Sequence, residues 1–337
     1  TKNIVTCVQL WLLNTKNKML KLSFIICCYN SSSRISGTLT ALLSALRSRD
    51  SDSDIVVVDN RCHDDTVTVA EKVFSDFSFS NYQILVESSP GQMAARLCGA
   101  AAATGDYFVF VDDDNELSKS WIGAFYHFID VNGIREVAMV GSLLHKKPGV
   151  YPEWFDEYMS SYACGGFRRT VGKLKGGQRN YGACVCIRRD VWFEIQPFLV
   201  KALNFGRNGS SLGAGDDALI NELIDSRGHS RFYCPEMRAL HAIPKSRLNW
   251  DYLVGLHEGF GSGSAKICIF MLKHYKRGRV KYVKRALALM VFSGWDILRA
   301  VLMECIISEK LESEGKRMRL KRARALSLVR EFLLGWR

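Results

Sequence analysis

Proline is scarce, with 6 in 337 residues, which excludes a proline-rich linker protein and argues against a repetitive all-β architecture. Long helices and buried strands are expected instead. The 11 cysteines include no C-x-x-C pair, and no H-E-x-x-H string occurs, so zinc centres of those kinds are not expected. Cys27 with Cys28 and Cys184 with Cys186 sit in apolar, strand-like runs, where neighbouring side chains have poor disulfide geometry. Reduced thiols in a cytosolic protein are the expectation. No apolar run approaches the ~20 uninterrupted residues that span a bilayer, and residues 8–13 are far too few. The phosphate-cradling G-x-x-x-x-G-K-[S/T] string is missing as well. Gly259-Phe260-Gly261-Ser262-Gly263 lacks the buried strand that should lead into a dinucleotide fingerprint.

Charge is present but unevenly spread. The formal net charge is +12, yet residues 273–337 carry 17 Lys and Arg against 6 Asp and Glu. A nearly neutral body with a basic tail does not fit a nucleic-acid groove, where basic side chains must line the site itself. It fits an anionic membrane surface. Residues 280–307 are apolar with interruptions at Asp296, Arg299 and Glu304, and residues 310–337 are basic and amphipathic. A helix lying in the membrane interface is expected, the alternative being a basic hairpin packed on the body or on a second copy in a homodimer. Leu320, Leu326, Val329, Phe332, Leu333 and Trp336 would supply its apolar side. Residues 1–19 read as a peripheral segment, with Met19 as the expected natural start.

With 47% apolar and 24% charged residues the chain is a folded one. Residues 22–28, 54–58 and 107–111 are continuous apolar runs, the pattern of strands covered on both faces. Helical spacing occupies residues 35–47, 66–74 and 93–103 between them. Alternating β and α segments predict a parallel sheet with right-handed crossovers, and ligands of such sheets sit at the carboxyl ends of the strands. Polar residues collect at that edge: Tyr29 and Asn30, Asp59 and Asn60, and Asp112-Asp113-Asp114. Helix capping accounts for single residues there. Three consecutive carboxylates repel one another unless water or a cation relieves them, so a divalent metal is expected.

The same residues resemble the inverting GT-A glycosyltransferases of family 2. The resemblance rests on Phe24-Ile25-Ile26-Cys27-Cys28-Tyr29-Asn30, Val56-Val57-Val58-Asp59-Asn60, Gly91-Gln92-Met93-Ala94-Ala95-Arg96 and Phe110-Val111-Asp112-Asp113-Asp114. It continues through residues 182–192 and Gly215-Asp216-Asp217-Ala218-Leu219, in the family's order. It implies a mostly parallel, Rossmann-like α/β sheet flanked by helices, over residues 20–263, with a helical extension at 264–337. It implies transfer of a sugar from a nucleotide diphosphate, expected to be a UDP-sugar, to a hydroxyl of a glycan or lipid-linked acceptor. By the same resemblance Asp114 and His241 would hold Mn2+ or Mg2+. Asp112, Asp113, Arg96, Tyr29 and Asp59 would meet the nucleotide sugar, Asp59 at the uracil N–H. Asp217 would be the general base, and Asp216 stands where the family has a glutamate on the acceptor side. Asp113 fits a solvated or capping role equally well, and Arg247 is a candidate for the diphosphate.

Residues 151–178 combine aromatics and glycines with Arg168 and Arg169, which suits either an acceptor loop or a cover for the core. The expected place of action is the cytoplasmic face of the cell membrane. Two other functions fit less of the pattern. A non-catalytic sugar-nucleotide-binding or scaffold subunit would not need Asp112, Asp114, Asp217 and His241 together. A nucleotidyltransferase usually has a glycine-rich loop where this chain has Ser31-Ser32-Ser33-Arg34.

Overall fold

The apolar runs become adjacent parallel strands because each must hide both faces. In a computed structural model, which describes residues 20–47, 52–166, 171–207, 212–275, 279–306 and 312–335, β1 (Leu22–Cys28) lies between β2 (Asp54–Asp59) and β4 (Tyr107–Asp112). Residues 1–19, Phe167, Arg168, Arg169 and Trp336 fall outside the described residues. Alternate side chains enter two separate cores. Phe24, Ile26, Val57 and Val109 face α1 (Ile35–Arg47), α2 (Thr66–Asp76) and α4 (Trp121–Asn132). Ile25, Val56, Phe108 and Phe110 face α3 (Gln92–Ala102), α6 (Arg189–Leu199) and α7 (Asp216–Ser226). The short helix between them in sequence is α5 (Phe155–Tyr158).

A strand that the apolar pattern did not announce, β3 (Tyr82–Val86), forms the outer edge beside β2. Its residues are only partly covered, Tyr82 and Ile84 by the first core and Leu85 by the second, and its apolar run of Ile84, Leu85 and Val86 is short. The remaining strands are β5 (Asn115–Leu117), β6 (Met139–Lys146), β7 (Gly172–Lys173), β8 (Val185–Arg188) and β9 (Arg231–His241). The nine-stranded sheet runs β3-β2-β1-β4-β8-β6-β9-β5, with β7 also on β9. β8 is antiparallel to both β4 and β6, so the sheet is mixed beyond β4.

Three long helices follow: α8 (Trp250–His274), α9 (Arg279–Ile306) and α10 (Glu312–Gly335). The division expected between residues 263 and 264 falls in the middle of α8, whose Ile267, Phe270 and Met271 belong to the second sheet core. The tail is therefore packed on the body. Leu320 and Phe332 of α10 are buried, Val329 is partly so, and Leu326 and Leu333 stay exposed. Arg317 pairs with Glu157 at 2.6 Å, and Glu222 of α7 accepts from Lys281, Tyr282 and Arg285 of α9. Val283, Leu287, Val291 and Trp295 form an exposed apolar stripe on α9. Among the described residues no helix is long and apolar enough to cross a membrane. Cys27, Cys28, Cys184 and Cys186 are free thiols, as are Cys62, Cys98, Cys164, Cys234 and Cys268.

Gly261 is where α8 and α10 touch backbone to backbone, since a Cβ there would stand 2.0 Å from the Arg324 carbonyl oxygen. Gly294 of α9 has nothing within 4 Å of the same position. Alanine should therefore act in opposite directions at the two sites. Gly294→Ala is expected to stabilise by up to about 1 kcal/mol through helix propensity, and Gly261→Ala to destabilise by about 1–3 kcal/mol through overpacking. Urea unfolding of the two variants checks it; equal effects would contradict this packing.

Candidate active site

The aspartate triplet lies where β4 turns into β5. The antiparallel register sets Asn115 opposite His241, the last residue of β9, and the Ala242 amide donates to the Asp114 carbonyl at 2.8 Å. A histidine 127 positions away in sequence is thereby brought beside Asp114. The three carboxylates diverge rather than share one site. Asp112 accepts from Gln92 at 3.2 Å and lies 3.9 Å from the Arg96 guanidinium. Asp113 turns to the start of α1, accepting from Arg34 at 2.6 Å and from the Ser31 hydroxyl, while its carbonyl takes the Thr38 hydroxyl. Asp114, 4% exposed, meets His241 Nε2 at 3.4 Å and Arg247 at 3.1 Å. Much of the mutual repulsion is thus relieved by three arginines of the chain itself.

The charges respond accordingly. Burial pushes Asp112 up to about 6, with Asp114 and Asp113 adding to it against the pull of Arg96. Burial alone would raise Asp114 too, but His241 and Arg247 hold it well below the ordinary carboxylate range. Burial works against the His241 imidazolium, and the Asp114 carboxylate outweighs it, pushing that group up to about 10.

These groups fit a divalent ion that takes the rest of its ligands from substrate. His241 Nδ1 lies 2.8 Å from the Tyr162 carbonyl, so this nitrogen carries the donating hydrogen and Nε2 is turned to Asp114. A carboxylate and an imidazole make a donor pair suited to Mn2+ or Mg2+. Among the described residues no three His, Cys, Asp or Glu side chains come together as a metal cluster, which leaves the other ligand positions to phosphate oxygens and water.

The second pair of carboxylates opens α7. Gly215 precedes it with φ +112°, a conformation glycine adopts without strain, and a Cβ there would stand 3.1 Å from the Gly263 Cα. The glycine-rich string of α8 explains itself here. Cβ atoms at Gly259 and Gly263 would collide with the carbonyls of Leu212 and Ala214, at 2.2 Å and 2.4 Å, so the bare helix face seats the loop that leads into Asp216 and Asp217. It is a packing face of a helix, not a nucleotide loop. Asp216 pairs with Arg96 at 2.6 Å. Asp217 stands beside it, accepting the Ala218 amide at 2.6 Å. Burial and the neighbouring Asp216 push it up to about 6. Gly182 closes over both, because a Cβ there would lie 2.6 Å from Arg96 and 3.2 Å from Asp217.

One cavity of about 670 Å³ joins most of these groups: Tyr29, Arg96, the aspartate triplet, Asp216, Asp217, His241 and Arg247 all line it. Asp59 does not. It ends β2 and accepts the Cys62 amide at 2.7 Å, shaping the turn whose Asn60, Arg61 and His63 form the wall. Arg34, Gln92 and Arg179 line it too without having been singled out from sequence, and so does Arg324, which the sequence counts with the basic tail expected at a membrane. Gln92 lay inside a motif already noted. Arg179 and Arg324 carried no local signal, since only the packing of loop and helix brings them to the cavity.

The family described as Glycosyl transferase family 2 matches residues 23–193. This chain belongs to that family. A stretch of 108 residues is 29% identical to the cholesterol galactosyltransferase of Borreliella burgdorferi, covering 32% of this chain and only 28% of that protein. Among solved structures, a mannosyltransferase from Pyrobaculum calidifontis in complex with GDP-Man and Mn2+ overlays with TM-score 0.58 at 15% identity, over 93% of this chain and 88% of that one. S. aureus TarS overlays with TM-score 0.48 at 15% identity, over 94% and 92% of the two chains. The mannosyltransferase shares the GT-A fold and is too distant in sequence to show more.

Arg96 and Asp216 are both almost wholly buried, so removing either leaves the other charge unpaired. Arg96→Met and Asp216→Ala should each cost about 3–5 kcal/mol. The double variant should lose about 1–3 kcal/mol less than the sum of the two. A double-mutant cycle by chemical unfolding measures this, and strict additivity would deny the coupling.

Proposed function

We propose that this chain is a nucleotide-sugar-dependent glycosyltransferase that inverts the anomeric carbon and acts on a hydroxyl of a glycan or lipid-linked acceptor. The observation that supports it most is that Asp112, Asp114, His241 and Asp217 line one cavity. The donor is proposed to be a UDP-sugar, on the motif that ends in Asp59. Tyr29 and Asn60 form the wall its base would meet, with Asp59 holding their turn in shape. Arg247 stands beside Asp114 for the diphosphate.

Asp217 would take the proton of the acceptor hydroxyl as its oxygen bonds to the anomeric carbon. The bond from that carbon to the diphosphate breaks, and its electron pair leaves with the diphosphate. Asp114 and His241 would hold Mn2+ or Mg2+, which as a Lewis acid stabilises the charge that collects on the leaving group. Arg96 keeps Asp216 and Asp112 in place and lowers the cost of charge on Asp217.

A donor-hydrolysis screen tests the reading without any acceptor. With Mn2+ and a panel of UDP- and GDP-sugars, at least one donor should be consumed, and excess chelator or Asp114→Ala should abolish this. Full activity in chelator would remove the metal assignment, and binding without turnover of any donor would favour a scaffold subunit.

For the base, Asp217→Asn should lower transfer at least ~10²-fold with little change in nucleotide affinity by calorimetry. Because only the carboxylate form accepts a proton, kcat should fall as pH drops through about 6, where Asp217 titrates. An equal loss of donor affinity would place Asp217 on the nucleotide side.

We also propose that the protein acts at the cytoplasmic face of a membrane, bound to an anionic surface. Support comes from the exposed stripe of Val283, Leu287, Val291 and Trp295 on α9, with Lys284 exposed at its basic end. Leu287→Glu with Val291→Glu should cut co-sedimentation with phosphatidylserine vesicles at least tenfold. Unchanged sedimentation would leave this stripe to contacts between copies.

A further inference from the structure

The cavity holds more positive charge than the donor site uses. Arg34, Arg96 and Arg247 are each tied to an aspartate. Arg179 and Arg324 line the same cavity, and among the described residues neither is held in an ion pair. Arg324 comes from α10, whose backbone is locked against Gly261 of α8. It stands near enough to His257 that burial and its charge together push that imidazole down to about 4, and neutral His257 lies 3.3 Å from the Ser161 hydroxyl. Arg179 sits on the loop that closes over Asp217, and its charge acts on that carboxyl.

The intervening wall is built of Tyr162, Tyr252, Phe260 and Ser264. The Tyr252 hydroxyl is buried without a hydrogen-bond partner among the described residues. A guanidinium that faces a cavity and is tied to no carboxylate by an ion pair matches an oxyanion, which it grips with two parallel hydrogen bonds. Apolar and aromatic wall around such a group matches a sugar or alkyl chain bearing it.

We infer that this half of the cavity is an acceptor subsite made jointly by the 179–182 loop, α8 and α10, and that it selects acceptors carrying an anionic group, phosphoryl or carboxylate, through Arg324 and Arg179. The inference rests on the transferase reading and narrows its acceptor. It also gives α10 a part in substrate recognition. The helix that holds the basic tail against the body brings one of its arginines to the chemistry.

Calorimetric titration of the full chain tests it, first with UDP and Mn2+, then with three probes added to the loaded protein: octyl glucoside, octyl glucoside 6-phosphate and octyl glucuronide. At least one anionic probe should bind at least tenfold tighter than the neutral one, and which of the two it is identifies the group. Arg324→Glu should erase the difference, Arg324→Gln and Arg179→Gln should each reduce it severalfold, and Lys321→Glu, an exposed change on the same helix, should leave it in place. Equal binding of all three probes would overturn the inference, as would loss of the preference in Lys321→Glu, which would assign it to the general charge of the tail. Failure of UDP and of other nucleotides to bind at all would instead overturn the nucleotide-sugar reading on which it stands.

Discussion

The site depends on one buried guanidinium. Arg96 projects from α3 into a space where β4, α7 and the loop at Gly182 meet, and it is bonded to Asp216 and the Gly182 carbonyl with Asp112 at 3.9 Å. A buried cation is costly unless each of its donors has a partner. That requirement draws together three segments that come from widely separated parts of the chain. Asp112 of β4 and Asp216 of α7 are thereby brought to the same guanidinium. Its neighbours show how little room is left, since neither Gly182 nor Gly206 could carry a side chain without striking Arg96 or Asp216.

Around that centre the aspartate triplet solves a problem of like charges by geometry. Consecutive residues leaving a strand point in different directions, so Asp112, Asp113 and Asp114 each reach a different arginine. Asp113 thereby becomes a strap between the end of β4 and the start of α1, which is the capping-like role open to it from sequence. Asp114 pairs with His241 only because β5 and β9 run antiparallel in the observed register. A slip of one residue would turn His241 to the other face of the sheet.

The C-terminal helices are part of this construction. α8 carries glycines on one side for the loop before Asp216 and at Gly261 for α10. Bare backbone lets both neighbours approach closely, and each approach positions a charged residue at the cavity. The basic tail thus spends much of its apolar surface on the body, and the stripe left outside belongs mainly to α9.

The three buried strands, their helices, the edge at which they end and the triplet of aspartates were legible in the sequence, because both-face burial demands continuous apolar runs and local turns need local residue types. So were Asp217 and His241 as residues worth attention. The edge strand β3 was not, for its half-exposed positions leave only a short run to read. Nor were the partners of the charges, Arg34 for Asp113 and Arg96 for Asp216, nor the place of Asp59 outside the cavity lining. The glycines of α8 did not fit a nucleotide motif, and only the loop they seat showed what they do. Sequence by itself determined which segments must be buried and which chemistries are available, since those follow from side-chain type and short-range period. Only the tertiary structure decided which charge meets which, because pairing between residues 79 to 133 positions apart is set by strand register and helix packing, for which no local pattern exists.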